Sequence, residues 1–446
     1  MKVLIVTSGS MGDVAPYTGL GVRLREAGHE VAMATHSPFR GTVERVGLGF
    51  EPLPGDLRAT LAHAIGGLNA RALARQFVLA RPLIASLGAG IVSAVESVKP
   101  SVLLLSTMVA PLGYQVADAY GIRRAGVFLQ PVYPTREFGS VLMGGRSFGP
   151  WGNLAVGWSA FKAAESLYAG PIRELRGSLG LPRVALRALR GSQEWEGPTF
   201  HGFSPAVLRR PGDWPSALRI AGYWWPAVDP GWRAPAELEA FLADGPAPVF
   251  IGFGSMAPGQ GERLGEIAVA AARRAGVRAI LQAGWSGLTA GAAQAAGTPQ
   301  AAGAARVAGT PQAAGAAQVA GTARDAGTAR DGGDVLSIGE VPHEWLFSRV
   351  AAVVHHAGAG TAAAGLRAGV PAVPVPVLAD QPFWARRLHE LGVAARPIPM
   401  PALSVDALAA ALRRVTENPH YAARAQAMSA RVGAEDGAAP IVDWIG

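Results

Sequence analysis

The residue types and spacing most able to do chemistry lie in Val353-Val354-His355-His356-Ala357-Gly358-Ala359-Gly360-Thr361. The stretch reads as a buried strand, a turn of small residues and the first turn of a helix. Such a turn is an anion site, because unpaired N–H groups and the positive end of the helix dipole both face it. Gly358 and Gly360, on either side of Ala359, let a phosphate approach the backbone, and Thr361 can cap the helix or donate a hydroxyl. His356 stands where an imidazole N–H reaches the same phosphates, while strand alternation turns His355 to the opposite face. Downstream, the proline-edged run Val373-Pro374-Val375-Pro376-Val377 leads into Asp380-Gln381. A carboxylate accepts, and a carboxamide both accepts and donates, so the pair suits adjacent sugar hydroxyls. Asp380 ahead of Pro382 is equally a helix start signal. Near the other end of the chain, Asp13 follows a first apolar strand on the glycine-rich turn Gly9-Ser10-Met11-Gly12. It is a candidate general base and, with Pro16 close behind, a candidate N-cap; the two roles are compatible.

Elements that would hold these residues alternate along the chain. Strand-like segments at Val3 to Thr7, Glu30 to Thr35, Ser101 to Leu105 and Ala125 to Leu129 are separated by helical ones, including Pro16 to Ala27 and Gly113 to Tyr120. A second series begins at Pro248-Val249-Phe250-Ile251 and continues through Ala279 to Gln282, Val335 to Ile338 and Ala351 to His355. This predicts an α/β protein of two Rossmann-like, doubly wound domains facing across a cleft. Composition turns to Pro, Gly and Trp around Arg210 to Pro215 and Trp225 to Pro230. The expected division is 1–213, 214–430 and a C-terminal segment 431–446. Within the second domain, Gly297-Thr298-Pro299-Gln300-Ala301-Ala302-Gly303-Ala304-Ala305-Arg306-Val307-Ala308 recurs almost unchanged from Gly309, then decays into shorter copies. These units hold almost no large apolar residues and cannot build a core, so 289–333 is expected to be a low-complexity surface loop.

The 446 residues suffice for two domains with separate cores, and no apolar run is expected to span a membrane. The opening segment is too short and too soon interrupted for a signal peptide, which points to the cytoplasm. With no cysteine there is no disulfide, thiolate metal site or cysteine nucleophile. The formal charge of +8 is carried almost wholly by dispersed arginine, only Lys2, Lys99 and Lys162 being lysine. No basic run interleaves with aromatics, so nucleic acid is not an expected partner. A basic face could still hold an anionic nucleotide or lean on an acidic membrane surface.

Three blocks together resemble the family 1 glycosyltransferases of GT-B fold, in particular the bacterial branch with sterol, lipid and antibiotic glycosyltransferases. They are Thr7 to Pro16, Ile338-Gly339-Glu340-Val341-Pro342-His343, and His355 through Gln381. The resemblance implies an N-terminal acceptor domain, a C-terminal nucleotide-sugar domain and a last helix that crosses back onto the first. It implies that His356 touches the donor diphosphate and that Gly358, Ala359, Gly360 and Thr361 supply further contacts to it. Val341 and His343 would meet the base and ribose, Ser255 would face the phosphates, and Asp380 and Gln381 would read the sugar. Plant members carry a Glu eight residues after the phosphate-binding His, where this chain has Ala364. A dTDP donor, lacking the ribose 2′-hydroxyl, loses less from that absence than UDP. Plant members also carry a catalytic His where this chain has Asp13, and its supporting Asp has no counterpart in Leu105-Ser106-Thr107.

The implied reaction is an inverting transfer from a UDP- or dTDP-sugar to a hydroxyl of an apolar acceptor such as a sterol, macrolide or polyketide. No cofactor is expected. No Asp-x-Asp pair occurs, so no metal is expected either, and the helix at Thr361 with His356 would carry the metal's electrostatic role. A free Asp titrates near ~3.9, so Asp13 would take the proton late, as the anomeric carbon becomes cationic. Ser10, Phe128, Phe148 and Trp151 are the residues expected to meet the acceptor. A helper that binds nucleotide sugar without catalysis, and a sugar-nucleotide epimerase of the same fold, remain as alternatives.

Overall fold

The computed structural model describes residues 1–55, 70–183, 197–254, 260–284, 288, 329–331 and 333–446. Ser255 and the repeats up to residue 328 lie outside the described residues. Two sheets are formed. The first holds β1 (Lys2–Val6), β2 (Glu30–His36), β3 (Gly49–Leu53), β4 (Val102–Leu105), β5 (Arg123–Phe128), β6 (Thr199–His201) and β7 (Leu218–Ile220). Its order is β3-β2-β1-β4-β5-β6-β7, with every pairing parallel. The second holds β8 (Val249–Gly252), β9 (Ala279–Gln282), β10 (Ala329–Asp331), β11 (Val335–Ile338), β12 (Ala352–His355) and β13 (Ala372–Pro374). Its order is β10-β11-β9-β8-β12-β13, parallel except for β10.

The central strands are apolar without alternation, and Val3 to Val6, Val102 to Leu105 and Ala352 to Val354 are fully buried. Strands of that kind need helices on both faces, which is why each sheet is wound with crossover helices. Strand order reverses at β1, between β2 and β4, and at β8, between β9 and β12. Ligands of open α/β sheets bind at such reversals, beyond the strands' C-terminal ends. The helices that matter to the site are α1 (Met11–Glu26), α2 (Ala70–Val98), α3 (Gly149–Ser178), α4 (Ala359–Ala368), α5 (Gln381–Glu390) and α6 (Ala439–Ile445).

Three expectations need correction. The first sheet takes in β7, so the sheets divide between Ile220 and Val249, later than the 213/214 boundary that composition suggests. The end of the segment expected to be a loop is a strand: β10 pairs antiparallel with β11, its backbone bonds needing no apolar side chains. Helix α1 begins at Met11 rather than at Pro16, which lies inside it. One helix window, Arg81–Val98, is long and apolar enough to cross a membrane by length and composition. Here Ile84, Leu87, Ile91, Ala94 and Val95 form a buried stripe against the first sheet, as a core helix requires.

The domains are tied together at two places. Arg386 of α5 donates to the Gly144 carbonyl at 2.9 Å and to that of Gly145, while Arg387 Nε reaches the Val207 carbonyl at 2.6 Å. The Phe138 and Phe383 rings lie 5.3 Å apart across the same junction. At the chain's end, Ile441 and Ile445 of α6 bury fully in the first domain's core. Arg123 donates to the Ile445 carbonyl at 3.2 Å and to that of Trp444, and Trp224 Nε1 holds the Gly437 carbonyl at 2.8 Å.

Candidate active site

Asp13 leaves the C-terminal end of β1 on the first turn of α1. The N-cap is Ser10, and Asp13 is the third helical residue, so the cap role belongs to its neighbour. The Ser10 N–H and hydroxyl both donate to Asp13 Oδ2, at 2.9 and 3.0 Å. Ser10, expected to face the acceptor, is therefore occupied in holding the carboxylate. Gly9 has φ +152°, and a Cβ there would lie 2.4 Å from the Asp13 carboxylate, so only glycine leaves it room. The Gln130 carboxamide lies close enough to help hold the Asp13 carboxyl down. Burial pushes the Asp13 carboxyl up from its ordinary value, against the three donors that hold it down.

The turn after β12 builds the facing wall. Helix α4 is capped by the Gly358 backbone, and Thr361 falls at the third helical position instead of the cap. His355 is fully buried, and its Nδ1 accepts from the Ala357 N–H at 3.0 Å. That bond accompanies a left-handed Ala357, φ +63°, and sets the direction in which the turn leaves the strand. His356 is half-buried between two glycines: a Cβ on Gly254 would meet its Cε1 at 3.2 Å, and one on Gly358 its Nε2 at 2.5 Å. Burial, with a smaller contribution from His343, lowers His356 to about 4, so it is neutral near pH 7 and has one N–H to donate. A Cβ on Gly360 would lie 3.8 Å from the Gly12 carbonyl oxygen. The N-termini of α1 and α4 thus meet across the cleft.

Asp380 and Gln381 begin α5, just past a left-handed Ala379 with φ +57°. Asp380 Oδ2 accepts from Trp384 Nε1 at 2.9 Å. Burial, and then the charge of Asp13 opposite, raise Asp380 to about 6. The two carboxylates therefore sense each other across the cleft. Gln381 is buried, its Oε1 accepting from the Val377 and Leu378 N–H groups at 2.8 and 3.2 Å, which leaves its amide N–H for a ligand. Val341 packs into the core and has only its backbone to offer. His343 stacks on Phe347 at 4.5 Å and meets Gln282 Oε1 at 3.2 Å, and burial lowers it to about 4.

On the acceptor side, Phe128 is half-buried, edge-on to His201 at 6.0 Å. Phe148 and Trp151 start α3 with 54% and 70% of their surface exposed, under the guanidinium groups of Arg146 and Arg136. Gln130 and Gln282 escape a sequence reading. Each is a lone polar residue at or just past the end of an apolar strand, and that position is the signal that could have found them.

Two family models match the two halves. The glycosyltransferase family 28 N-terminal domain matches residues 3–136, and the erythromycin biosynthesis protein CIII-like C-terminal domain matches residues 318–444. The O-mycaminosyltylonolide 6-deoxyallosyltransferase of Streptomyces fradiae is 34% identical over 98% of this chain and 95% of its own. The chain belongs to the family 1 glycosyltransferases of GT-B fold. A sterol 3-beta-glucosyltransferase of Arabidopsis thaliana is 29% identical to this glycosyltransferase over 99% of the chain, which spans 64% of that relative's length. A Streptomyces sp. SF2575 glycosyltransferase, solved with thymidine diphosphate, shares the fold at TM-score 0.61 and 19% identity, covering 100% of this chain and 99% of its own.

Proposed function

We propose that this glycosyltransferase moves a hexose, with inversion and without a metal ion, from a dTDP- or UDP-sugar to a hydroxyl of an apolar acceptor of macrolide or sterol kind. The observation that carries the reading is the meeting of two helix N-termini, with Asp13 on one and the His356 turn on the other. The N–H groups opening α4, the His356 N–H and the Thr361 hydroxyl receive the diphosphate and the charge it gains as the glycosidic bond breaks. The helix dipole does this without an Asp-x-Asp metal pair, which the chain lacks. Asp380 accepts from sugar hydroxyls and the Gln381 amide donates to them. Asp13, on the opposite wall from the leaving group, takes the acceptor's proton as the anomeric carbon becomes cationic. Base and leaving group on opposite sides mean a single displacement, and hence inversion.

The thymidine diphosphate in the Streptomyces structure and Ala364 in place of a ribose-binding Glu both favour a dTDP donor. The names of the relatives support the acceptor class, and the exposed Phe148 and Trp151 suit an apolar one. The test is nucleoside diphosphate release from a panel of dTDP- and UDP-sugars, with Asp13→Asn as the decisive variant. Asn preserves size and still accepts from Ser10, so diphosphate affinity should hold while turnover falls on the order of a hundredfold. Turnover close to that of the native protein would overturn the base role.

A further inference from the structure

Three adjacent strands of the first sheet, β1, β4 and β5, deliver one polar residue each to the same point. Asp13 stands on the turn beyond β1, Thr107 just after β4, and Gln130 just after β5. Thr107 Oγ1 donates to Gln130 Oε1 at 3.3 Å, and the Gln130 carboxamide lies beside the Asp13 carboxyl, which it helps hold down. We propose that Gln130, held in turn by Thr107, is a positioning residue that aims the Asp13 carboxylate at the acceptor hydroxyl.

The chemistry of the groups sets the direction of the chain. An ionised carboxylate can only accept, so Gln130 must present its NH₂ to Asp13, and its oxygen is left for a donor. The Thr107 hydroxyl is that donor, and it fixes which way the amide points. Both Ser10 bonds go to a single oxygen, Oδ2. A carboxylate anchored at one oxygen can still turn about that anchor. A contact from a different strand end removes the freedom, and general base catalysis depends on such alignment. Unlike an imidazole, an amide cannot take the proton onward, so the proton stays on Asp13 until product leaves. The other ionisable neighbours of Asp13 are Tyr17 and Asp380. Tyr17 donates to the Val127 carbonyl at 2.6 Å and stays neutral, and the charge of Asp13 is felt at Asp380.

The inference rests on Asp13 being the base, so the experiment separates the two. Gln130→Met keeps length and packing but not the donor, and Thr107→Val releases Gln130 from its holder. Turnover, nucleoside diphosphate affinity by calorimetry and the pH profile of kcat/KM are measured for each. Gln130→Met should lower kcat on the order of tenfold, with diphosphate affinity within about twofold of the native value. The acidic limb should move to higher pH, because a carboxylate with one donor fewer protonates more readily. Thr107→Val should do the same to a smaller degree. In an Asp13→Asn background, Gln130→Met should cost nothing further. Full turnover and an unmoved limb in Gln130→Met, or an equal loss in both backgrounds, would overturn the positioning role. Near-native turnover of Asp13→Asn by itself instead overturns the base reading, whatever Gln130 does.

Discussion

The Asp380→Asn substitution should make the protein more stable and a poorer binder of its donor, and the two effects separate by pH. In the native fold the carboxyl is buried and opposed by Asp13, and it rises from an ordinary 3.8 to about 6. At ~1.4 kcal/mol per pH unit this difference is ~3 kcal/mol, or ~2 kcal/mol after allowing for the part of the side chain that meets water. The folded value lies above the unfolded one. The associated stability is therefore present in full below about pH 4 and is lost as pH rises through about 6. The substituted carboxamide never ionises, yet its oxygen still accepts from Trp384 Nε1. The variant's melting temperature at pH 8 should exceed the native one by roughly 4–8 °C, and the gap should close by pH 4. The sugar loses a charged acceptor, worth ~1.5–3 kcal/mol, so the sugar nucleotide should bind ~10–100-fold more weakly while the bare nucleoside diphosphate is unaffected. Melting curves from pH 4 to 8, with calorimetry of both ligands, read these outcomes. A variant that melts lower than native at pH 8, or a gap that does not change with pH, refutes the reasoning.

Other outcomes follow from the same geometry. His356→Ala should fold but bind nucleoside diphosphate on the order of tenfold more weakly by calorimetry, through loss of one N–H to a charged group. His355→Ala should lower melting temperature and diphosphate affinity together, because its Nδ1 holds the left-handed Ala357 that aims the turn. Gly9→Ala should depress both turnover and melting temperature, since its methyl would lie 2.4 Å from the Asp13 carboxylate. Ala379→Gly should raise stability by ~0.5 kcal/mol in a denaturant titration, by relieving an exposed residue at φ +57°.

Much of the architecture is legible in the chain itself. Unbroken apolar strands such as Val102-Leu103-Leu104-Leu105 demand burial on both faces, and their alternation with helices leads to two doubly wound sheets. Asp13, the His356 turn and Asp380-Gln381 are visible for the same reason: each is a polar or glycine-rich break at the C-terminal end of an apolar strand. Less is legible where a property depends on residues distant in sequence. β7 is three residues long and earns its place only by pairing with β6, so the end of the first sheet could not be read from composition. Local pattern brings Asp13 and Asp380 no closer than the two ends of the chain. Only closure of one sheet over the other sets their charges in each other's field and raises Asp380 to about 6. Gln130 and Thr107 likewise acquire a role only because β5 and β4 lie beside β1, and strand order is a tertiary fact. Sequence periodicity reports how each segment meets its own core; which side chains then share a point in space is decided by packing between segments.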